Sequence, residues 1–145
     1  LTKGAHPDEA WRSRLTPEAI AVDIAASLGR LDVGTVDAWL VHRDDEAVPV
    51  GEVVDALDTL VRTGQARAVG VSNWRLPRLR EAVGWAAAHG RAPIVVSSSY
   101  LGLAVATEFP WLGCVSARDE KELWPALLEN WLVARKLCKA APAGD

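Results

Sequence analysis

The feature that most constrains the fold is a strand-then-helix pattern that repeats along the first hundred residues. Three short apolar runs stop abruptly at polar residues, as buried strands of a parallel sheet do. Between them lie stretches whose apolar residues recur at helical spacing. The strands are predicted at 36–41, 66–71 and 93–97, and the helices at 17–30, 51–63 and 76–89. Short connections between alternating strands and helices indicate parallel βαβ units, so we predict an α/β fold with adjacent parallel strands, right-handed crossovers and helices packed on one side.

The helix boundaries carry their own signals. Thr16 is a good N-cap residue, and Pro17 suits the first helical position because its missing N–H would be unpaired there anyway. After Tyr100 the strand–helix pattern fades. A second start signal at Ser116, followed by an apolar stripe at helical spacing, predicts a C-terminal amphipathic helix within 115–139.

Composition sets the broad class of protein. With 145 residues, half of them hydrophobic and a quarter charged, the chain is predicted to form one globular domain over 1–145. The net charge of −3 argues against a general affinity for nucleic acid or anionic membranes. Cys114 and Cys138 form no CxxC pair, so no metal site is predicted, and Cys114 is interpreted as a small core residue. No apolar run approaches a membrane span, so cytoplasm is the expected location.

The strand at 36–41 ends in a titratable cluster formed by His42, Arg43, Asp44 and Asp45. Polar chemistry at the C-terminal end of a parallel strand is where α/β folds build their sites. The alternative is a solvated loop in which His42 pairs with Asp44 or Asp45. The cluster alone favours neither interpretation.

Three motifs in order carry a resemblance to a known family. They are Thr2-Lys3-Gly4, Leu40-Val41-His42-Arg43-Asp44-Asp45 and Gly70-Val71-Ser72-Asn73-Trp74, supported by the stretch from Leu15 to Leu28. Over about residues 1–104 the chain resembles the aldo-keto reductases. The resemblance implies a (β/α)8 barrel that binds an extended nicotinamide cofactor, usually NADPH, and reversibly reduces aldehydes and ketones.

The resemblance also implies roles for five residues. Lys3 matches the family's catalytic lysine and His42 its catalytic histidine. Ser72 and Asn73 match residues that hydrogen-bond the nicotinamide carboxamide, and Ser98 falls where the family usually has a glutamine for the same task. A lysine can lower the pKa of a phenol that protonates the carbonyl, while a neutral histidine orients that carbonyl. An imidazolium at His42, titrating near pH 6–7, is expected to replace the phenol in part.

Other parts of the family pattern have no match here. The family's catalytic tyrosine, and the aspartate that pairs with its lysine, lie before the lysine motif, where this chain has no residues, and Tyr100 does not match that tyrosine. The segment that binds the cofactor phosphates is also absent. A complete barrel needs roughly 200 residues or more, so the chain corresponds to barrel strands three to six of a partial barrel.

Several functions therefore stay open. The first is a truncated NADP(H)-dependent oxidoreductase of aldehydes and ketones, inactive as an isolated chain. The second is a repurposed half-barrel that serves as a binding or scaffold protein, or as a non-redox enzyme using His42 with Asp44 or Asp45. The third is a homodimer that covers the open barrel edges.

Two groups of side chains are interpreted as solvated. His6 and His89 are expected to face solvent. Arg75, Arg78 and Arg80 are expected to form an exposed helix face.

Overall fold

The computed structural model describes residues 1–100 and 113–116. Four strands alternate with three helices along this part of the chain. The strands are β1 (Thr2–Gly4), β2 (Val36–Val41), β3 (Ala66–Ser72) and β4 (Ile94–Ser98), and the helices are α1 (Pro17–Leu31), α2 (Val50–Arg62) and α3 (Leu76–Ala88).

The strands form one parallel sheet in the order β1-β2-β3-β4. Lys3 is in register with Leu40, Leu40 with Gly70, and Gly70 with Val96. The predicted α/β class and the adjacent parallel strands are confirmed, with element ends that differ from the prediction by at most one residue. Because all strands run in the same direction, the residues that follow them meet at one edge of the sheet.

The start of α1 follows the predicted chemistry. Thr16 has an extended backbone and its side chain accepts a hydrogen bond from the N–H of Ala19, while Pro17 occupies the first turn. The helix ends at Asp32 in the left-handed conformation, with φ of 52°. Aspartate tolerates that conformation better than most residues do, so no glycine is needed at this end.

The core lies between the sheet and the helices. Trp39 on β2 is completely buried, and α2 places Val53 and Leu57 against the same layer. Two glycines allow close approach. A Cβ at Gly4 would collide with the Trp39 indole, and a Cβ at Gly70 would collide with the backbone of Val96 on the neighbouring strand. The packing of these strands therefore depends on the absence of two side chains.

Ser116, the predicted N-cap of the C-terminal helix, forms a parallel bridge with Tyr100. Its extended backbone is compatible with an N-cap residue, so the predicted helix stays a prediction. Residues 117–139, which carry the rest of the predicted amphipathic helix, lie outside the described residues. Across 1–100 and 113–116, no helix has the length and apolar character needed to cross a membrane.

Candidate functional site

Five side chains from four strand ends line one cavity. Lys3 lies in β1, His42 directly follows β2, Ser72 and Asn73 lie at the end of β3, and Ser98 is the last residue of β4. The structure brings all of them to a cavity of about 340 Å³ at the C-terminal edge of the sheet. That volume is at the lower end of the range for small-molecule sites, about 300–1,000 Å³.

Lys3 links β1 to β3 and β4 through hydroxyl groups. Its Nζ donates to Ser72 Oγ at 2.9 Å and to Ser98 Oγ at 3.0 Å. Burial lowers the pKa of the Lys3 ammonium, and the nearby positive charge of Arg43 lowers it further. Two neutral acceptors thus hold the amine in place. Because its pKa is lowered, the Lys3 ammonium loses its proton more easily than a solvated lysine does.

Asn73 fastens the ends of three strands together. Its backbone has φ of 60°, the left-handed region that asparagine enters more readily than most residues. The side-chain Nδ2 donates to Ser72 Oγ at 3.0 Å and to the carbonyl of His42 at 3.2 Å. Its Oδ1 accepts from the backbone N–H of Val115 at 3.2 Å, and its own N–H donates to Ser98 O at 2.9 Å. Both side-chain polar atoms of Asn73 and its backbone N–H are therefore engaged within the site.

His42 is neutral in this environment. Its backbone N–H donates to Gly4 O at 2.8 Å, and its ring meets the ring of His6 edge-on with centroids 4.8 Å apart. Burial lowers the pKa of His42 from its ordinary 6.5 to about 4, helped by the charges of Arg43, His6 and Lys3. The expectation of an imidazolium near pH 6–7 is therefore wrong, because burial and neighbouring cations favour the uncharged ring.

The carboxylates after His42 have other partners. Asp44 Oδ1 accepts from Arg78 Nε at 3.3 Å, and Asp45 Oδ1 accepts from the backbone N–H of Ala47 at 3.0 Å. The ring of His42 instead meets His6. These contacts give no support to a catalytic pair between His42 and either aspartate.

Arg78 is buried, so its interpretation as part of a solvated helix face is wrong. Its guanidinium donates to the carboxylate of Asp44 and to the carbonyls of Asp45 and Val48, and it lies 5.1 Å from the ring centroid of Trp74. Arg78 thus ties the loop after His42 to α3.

Arg43, from the titratable cluster predicted after the strand at 36–41, also lines the cavity. Four more lining residues were missed by sequence reasoning: His6, Ser99, Tyr100 and Cys114. Cys114 is half-buried here rather than a core residue. His6 is exposed, as expected. Ser99 and Tyr100 directly follow β4, so their position after a strand end was a signal that could have identified them. Loops bring His6 and Cys114 to the cavity, and no sequence pattern predicts the course of these loops.

Ser99 contributes a buried hydroxyl group to the cavity wall. Its Oγ is buried and has no hydrogen-bond partner within the part of the chain that the structure describes. Buried polar atoms normally have partners, and Ser99 lines the cavity, so this hydroxyl is a candidate partner for a polar group of a ligand. The amide and hydroxyl groups here fit the carboxamide of a nicotinamide ring, which both donates and accepts hydrogen bonds.

Comparisons with known proteins agree with this site. Residues 1–109 match the family model described as the aldo/keto reductase family. A 56-residue stretch is 45% identical to the 6-dehydroglucose reductase of Agrobacterium fabrum, covering 39% of this chain and 19% of that protein. A 77-residue stretch is 32% identical to the NADH-specific methylglyoxal reductase of Escherichia coli, covering 51% of this chain and 24% of that protein.

A solved structure gives the same result for the fold. A thermostable aldo-keto reductase in complex with the inhibitor epalrestat superimposes with a TM-score of 0.54 at 31% sequence identity. The superposition covers 60% of this chain and 31% of that one. The matches therefore span a third or less of these relatives, but the family model covers most of this chain. The chain belongs to the aldo/keto reductase family.

Proposed function

We propose that the described unit holds the nicotinamide end of NAD(P)H beside the carbonyl group of an aldehyde or ketone, as part of a carbonyl reductase site. The observation that carries this proposal is the convergence of Lys3, His42, Ser72, Asn73 and Ser98 on one cavity. A carbonyl oxygen needs hydrogen-bond donors and a positive charge nearby, and a carboxamide needs both donors and acceptors. The cavity at the C-terminal ends of these parallel strands offers all of these groups.

The protein groups have distinct tasks at the carbonyl oxygen. A bound reduced nicotinamide supplies the hydride. Neutral His42 has one ring N–H to donate, and this bond orients the carbonyl without adding a full charge to the cavity. The Lys3 ammonium, half-buried and close to Ser72 and Ser98, stabilises negative charge that develops on the oxygen. Lys3 and His42 are the proposed catalytic residues.

The carboxamide side is built from hydroxyl and amide groups. Ser99 Oγ has no partner among residues 1–100 and 113–116, whereas Ser72 and Asn73 make internal hydrogen bonds that a carboxamide would have to exchange. Each exchanged bond contributes about 1 kcal/mol, far below the roughly 8 kcal/mol behind micromolar affinity. The carboxamide contacts therefore orient the ring, and strong binding requires further contacts to the phosphates. We propose NADPH as the cofactor, and NADH serves as the comparison ligand in the binding experiment.

We propose that the 145-residue chain by itself does not catalyse the reduction of carbonyl compounds. Proton transfer to the carbonyl oxygen contributes about 10²–10⁴-fold, and neutral His42 is a poor acid near pH 7. Tyr100 is the chain's one tyrosine and lines the cavity, so it is the phenol to test. NADPH oxidation by the parent chain that is lost in Tyr100→Phe would identify this phenol as a proton donor and refute the proposed inactivity.

The experiment has a binding arm and a turnover arm. The purified chain is titrated separately with NADPH and NADH while the His42 ring protons are followed by NMR, and NADPH oxidation is then assayed with a reactive aldehyde. We expect weak binding that shifts the His42 signals, that weakens in Ser99→Ala, and that is unchanged in the distant control Val22→Ala. A His42 signal unmoved by millimolar cofactor would refute the site. Turnover that is lost on His42→Ala would refute the proposed inactivity.

The wider setting is also a proposal. The residues 1–145 form one partial-barrel domain that acts in the cytoplasm on a small-molecule carbonyl compound, and two copies associate to cover the open edges of the sheet. Sedimentation equilibrium of the purified chain tests the association. A monomer at all concentrations would exclude the homodimer and leave the barrel edges to another chain segment.

A further inference from the structure

The amine of Lys3 is held by hydroxyl groups. Its Nζ donates to Ser72 Oγ at 2.9 Å and to Ser98 Oγ at 3.0 Å. Across residues 1–100 and 113–116, no carboxylate forms an ion pair with Lys3. A carboxylate would favour the charged ammonium, whereas a hydroxyl oxygen accepts an N–H from the ammonium and from the neutral amine alike. The hydrogen bonds of Lys3 are therefore compatible with a neutral amine.

Ser72 holds this amine in either protonation state. Its Oγ donates its single proton to Ser98 O at 2.9 Å and accepts from Asn73 Nδ2 at 3.0 Å. Toward Lys3, Ser72 can therefore only accept. An ammonium has three N–H groups, and the two serines bind two of them, which leaves the third without an acceptor within the described part of the chain. Loss of this third proton leaves a lone pair in its place while both serine contacts persist.

The surroundings of Lys3 favour loss of that proton. Burial lowers the pKa of the Lys3 ammonium, and the positive charge of Arg43 lowers it further. Lys3 lines the cavity of about 340 Å³, and the other ionisable side chains that line it, within the described residues, are His6, His42, Arg43, Tyr100 and Cys114. None of these is a carboxylate. A lysine that is desolvated beside another cation is the kind that attacks carbonyl compounds as a nucleophile.

We propose that Lys3 is also a nucleophile that forms a covalent imine with small aldehydes in this cavity. The neutral Nζ attacks the carbonyl carbon, so a C–N bond forms and the π electrons of the C=O bond move to the oxygen. One proton of the amine passes to this oxygen and gives a carbinolamine. The second proton leaves with the hydroxyl group as water, and the C=N bond forms without an oxidant or a reductant.

This activity goes beyond the proposed reduction because it needs no nicotinamide. The reduction uses the charged form of Lys3, whereas imine formation uses its neutral form. The volume of about 340 Å³ suits a small aldehyde, whose carbonyl carbon is less hindered than that of a ketone. His42 lines the same cavity, and its neutral ring has one N–H to donate to the carbonyl oxygen during the attack.

The test traps the imine on the full chain. Propanal and sodium cyanoborohydride are added at pH 7, since the borohydride delivers a hydride to the imine carbon and leaves a stable secondary amine. Tandem mass spectrometry of the peptide 1–9, released by cleavage after Glu9, separates a label on Lys3 from one on the α-amine of Leu1. We expect Lys3 to be labelled about tenfold faster than Lys121, Lys136 or Lys139, because the folded chain positions its nitrogen. In urea this preference should disappear.

The variants separate the nucleophile from the charge. Lys3→Arg keeps a cation that cannot form an imine, so the peptide 1–9 should carry a label on Leu1 alone. Lys121→Arg makes the same change at another lysine and should leave the labelling of Lys3 unchanged. Arg43→Gln should slow the labelling of Lys3 at pH 7, because it removes the charge that lowers the Lys3 pKa, and the difference from the parent chain should shrink at pH 9.

Two results would overturn the nucleophile. They are labelling of Lys3 no faster than that of the other lysines, and a preference for Lys3 that persists in urea. Either would leave the proposed reduction standing, because that reaction uses the charged Lys3. Preferential labelling of Lys3 together with His42 signals that NADPH does not move would refute the nicotinamide site and support the imine.

Discussion

The buried ion pair between Arg78 and Asp44 allows a sharp stability prediction. The two side chains are 9% and 12% exposed, and their closest atoms lie 3.3 Å apart. Replacing Arg78 by leucine keeps apolar volume on α3 but removes the donors that bind Asp44, Asp45 and Val48. The change therefore leaves a charged carboxylate and two carbonyl oxygens without the guanidinium.

The expected loss of stability follows from the charged and polar groups that Arg78→Leu leaves without the guanidinium. Removing one partner of a buried ion pair costs about 3–5 kcal/mol, because the other charge is left without compensation. Asp44 and Arg78 keep slight contact with water, so we expect Arg78→Leu to lower the free energy of unfolding by about 3 kcal/mol. Arg62→Leu is the matched control. Its guanidinium is 75% exposed and lies 3.9 Å from Asp58, so the loss should be within about 0.5 kcal/mol.

A pH dependence distinguishes the ion pair from simple loss of packing. Burial already raises the pKa of Asp44, and the Arg78 charge opposes that effect. Without the arginine, the Asp44 pKa rises further above its unfolded value. The loss of stability caused by Arg78→Leu is therefore largest at a pH well above that pKa. It becomes smaller as the pH falls, because the Asp44 carboxyl is then protonated in the folded state.

Urea unfolding, followed by circular dichroism at pH 7 and at pH 5, measures these free energies. The double variant Asp44→Leu, Arg78→Leu should recover part of the loss at pH 7, since it leaves no buried charge. A loss below about 1 kcal/mol for Arg78→Leu would refute the reasoning, given the 3–5 kcal/mol cost of a broken buried pair. A double variant less stable than the single one at both pH values would also refute it.

Four further substitutions have expected outcomes that the same unfolding assay checks. Gly70→Ala should cost about 3 kcal/mol because its methyl group meets the Val96 backbone, whereas Gly84→Ala on α3, with open space around it, should stabilise the chain by about 0.5–1 kcal/mol. Thr16→Ala should cost about 1 kcal/mol because the side chain accepts a backbone N–H of the first turn at 3.2 Å. For His42, the folded pKa of about 4 lies below the ordinary 6.5, so the unfolded state binds more protons between these values, and stability should fall as the pH drops through this window. His42→Gln should flatten that fall, and an NMR titration midpoint of His42 near 6.5 would contradict it.

The sheet and the positions of the strand ends could be predicted from the sequence because they depend on local patterns. Apolar runs that stop at His42, Ser72 and Ser98 place those residues at one edge of a parallel sheet, whatever the loops do. The roles of these residues in binding and catalysis remain predictions.

The features that sequence reasoning missed depend on contacts between distant segments. The burial of Arg78 arises because Asp44 and two loop carbonyls converge on it, and no local pattern encodes that meeting. The low pKa of His42 depends on burial and on Arg43 and His6, whose positions are set by two different loops. A charged residue on a helix looks solvated in sequence until its tertiary partners are known.

The sequential strand order has a consequence for how the chain folds during synthesis. Each strand pairs with the one made before it, as in the pairings of Lys3 with Leu40, Leu40 with Gly70 and Gly70 with Val96. No strand among the described residues has to wait for a partner from the far end of this segment. Short sequence separation lowers the entropic cost of closing each unit and speeds folding. As each strand and helix leaves the ribosome, it meets an edge that is already formed, so the sheet can grow one unit at a time at the pace of translation.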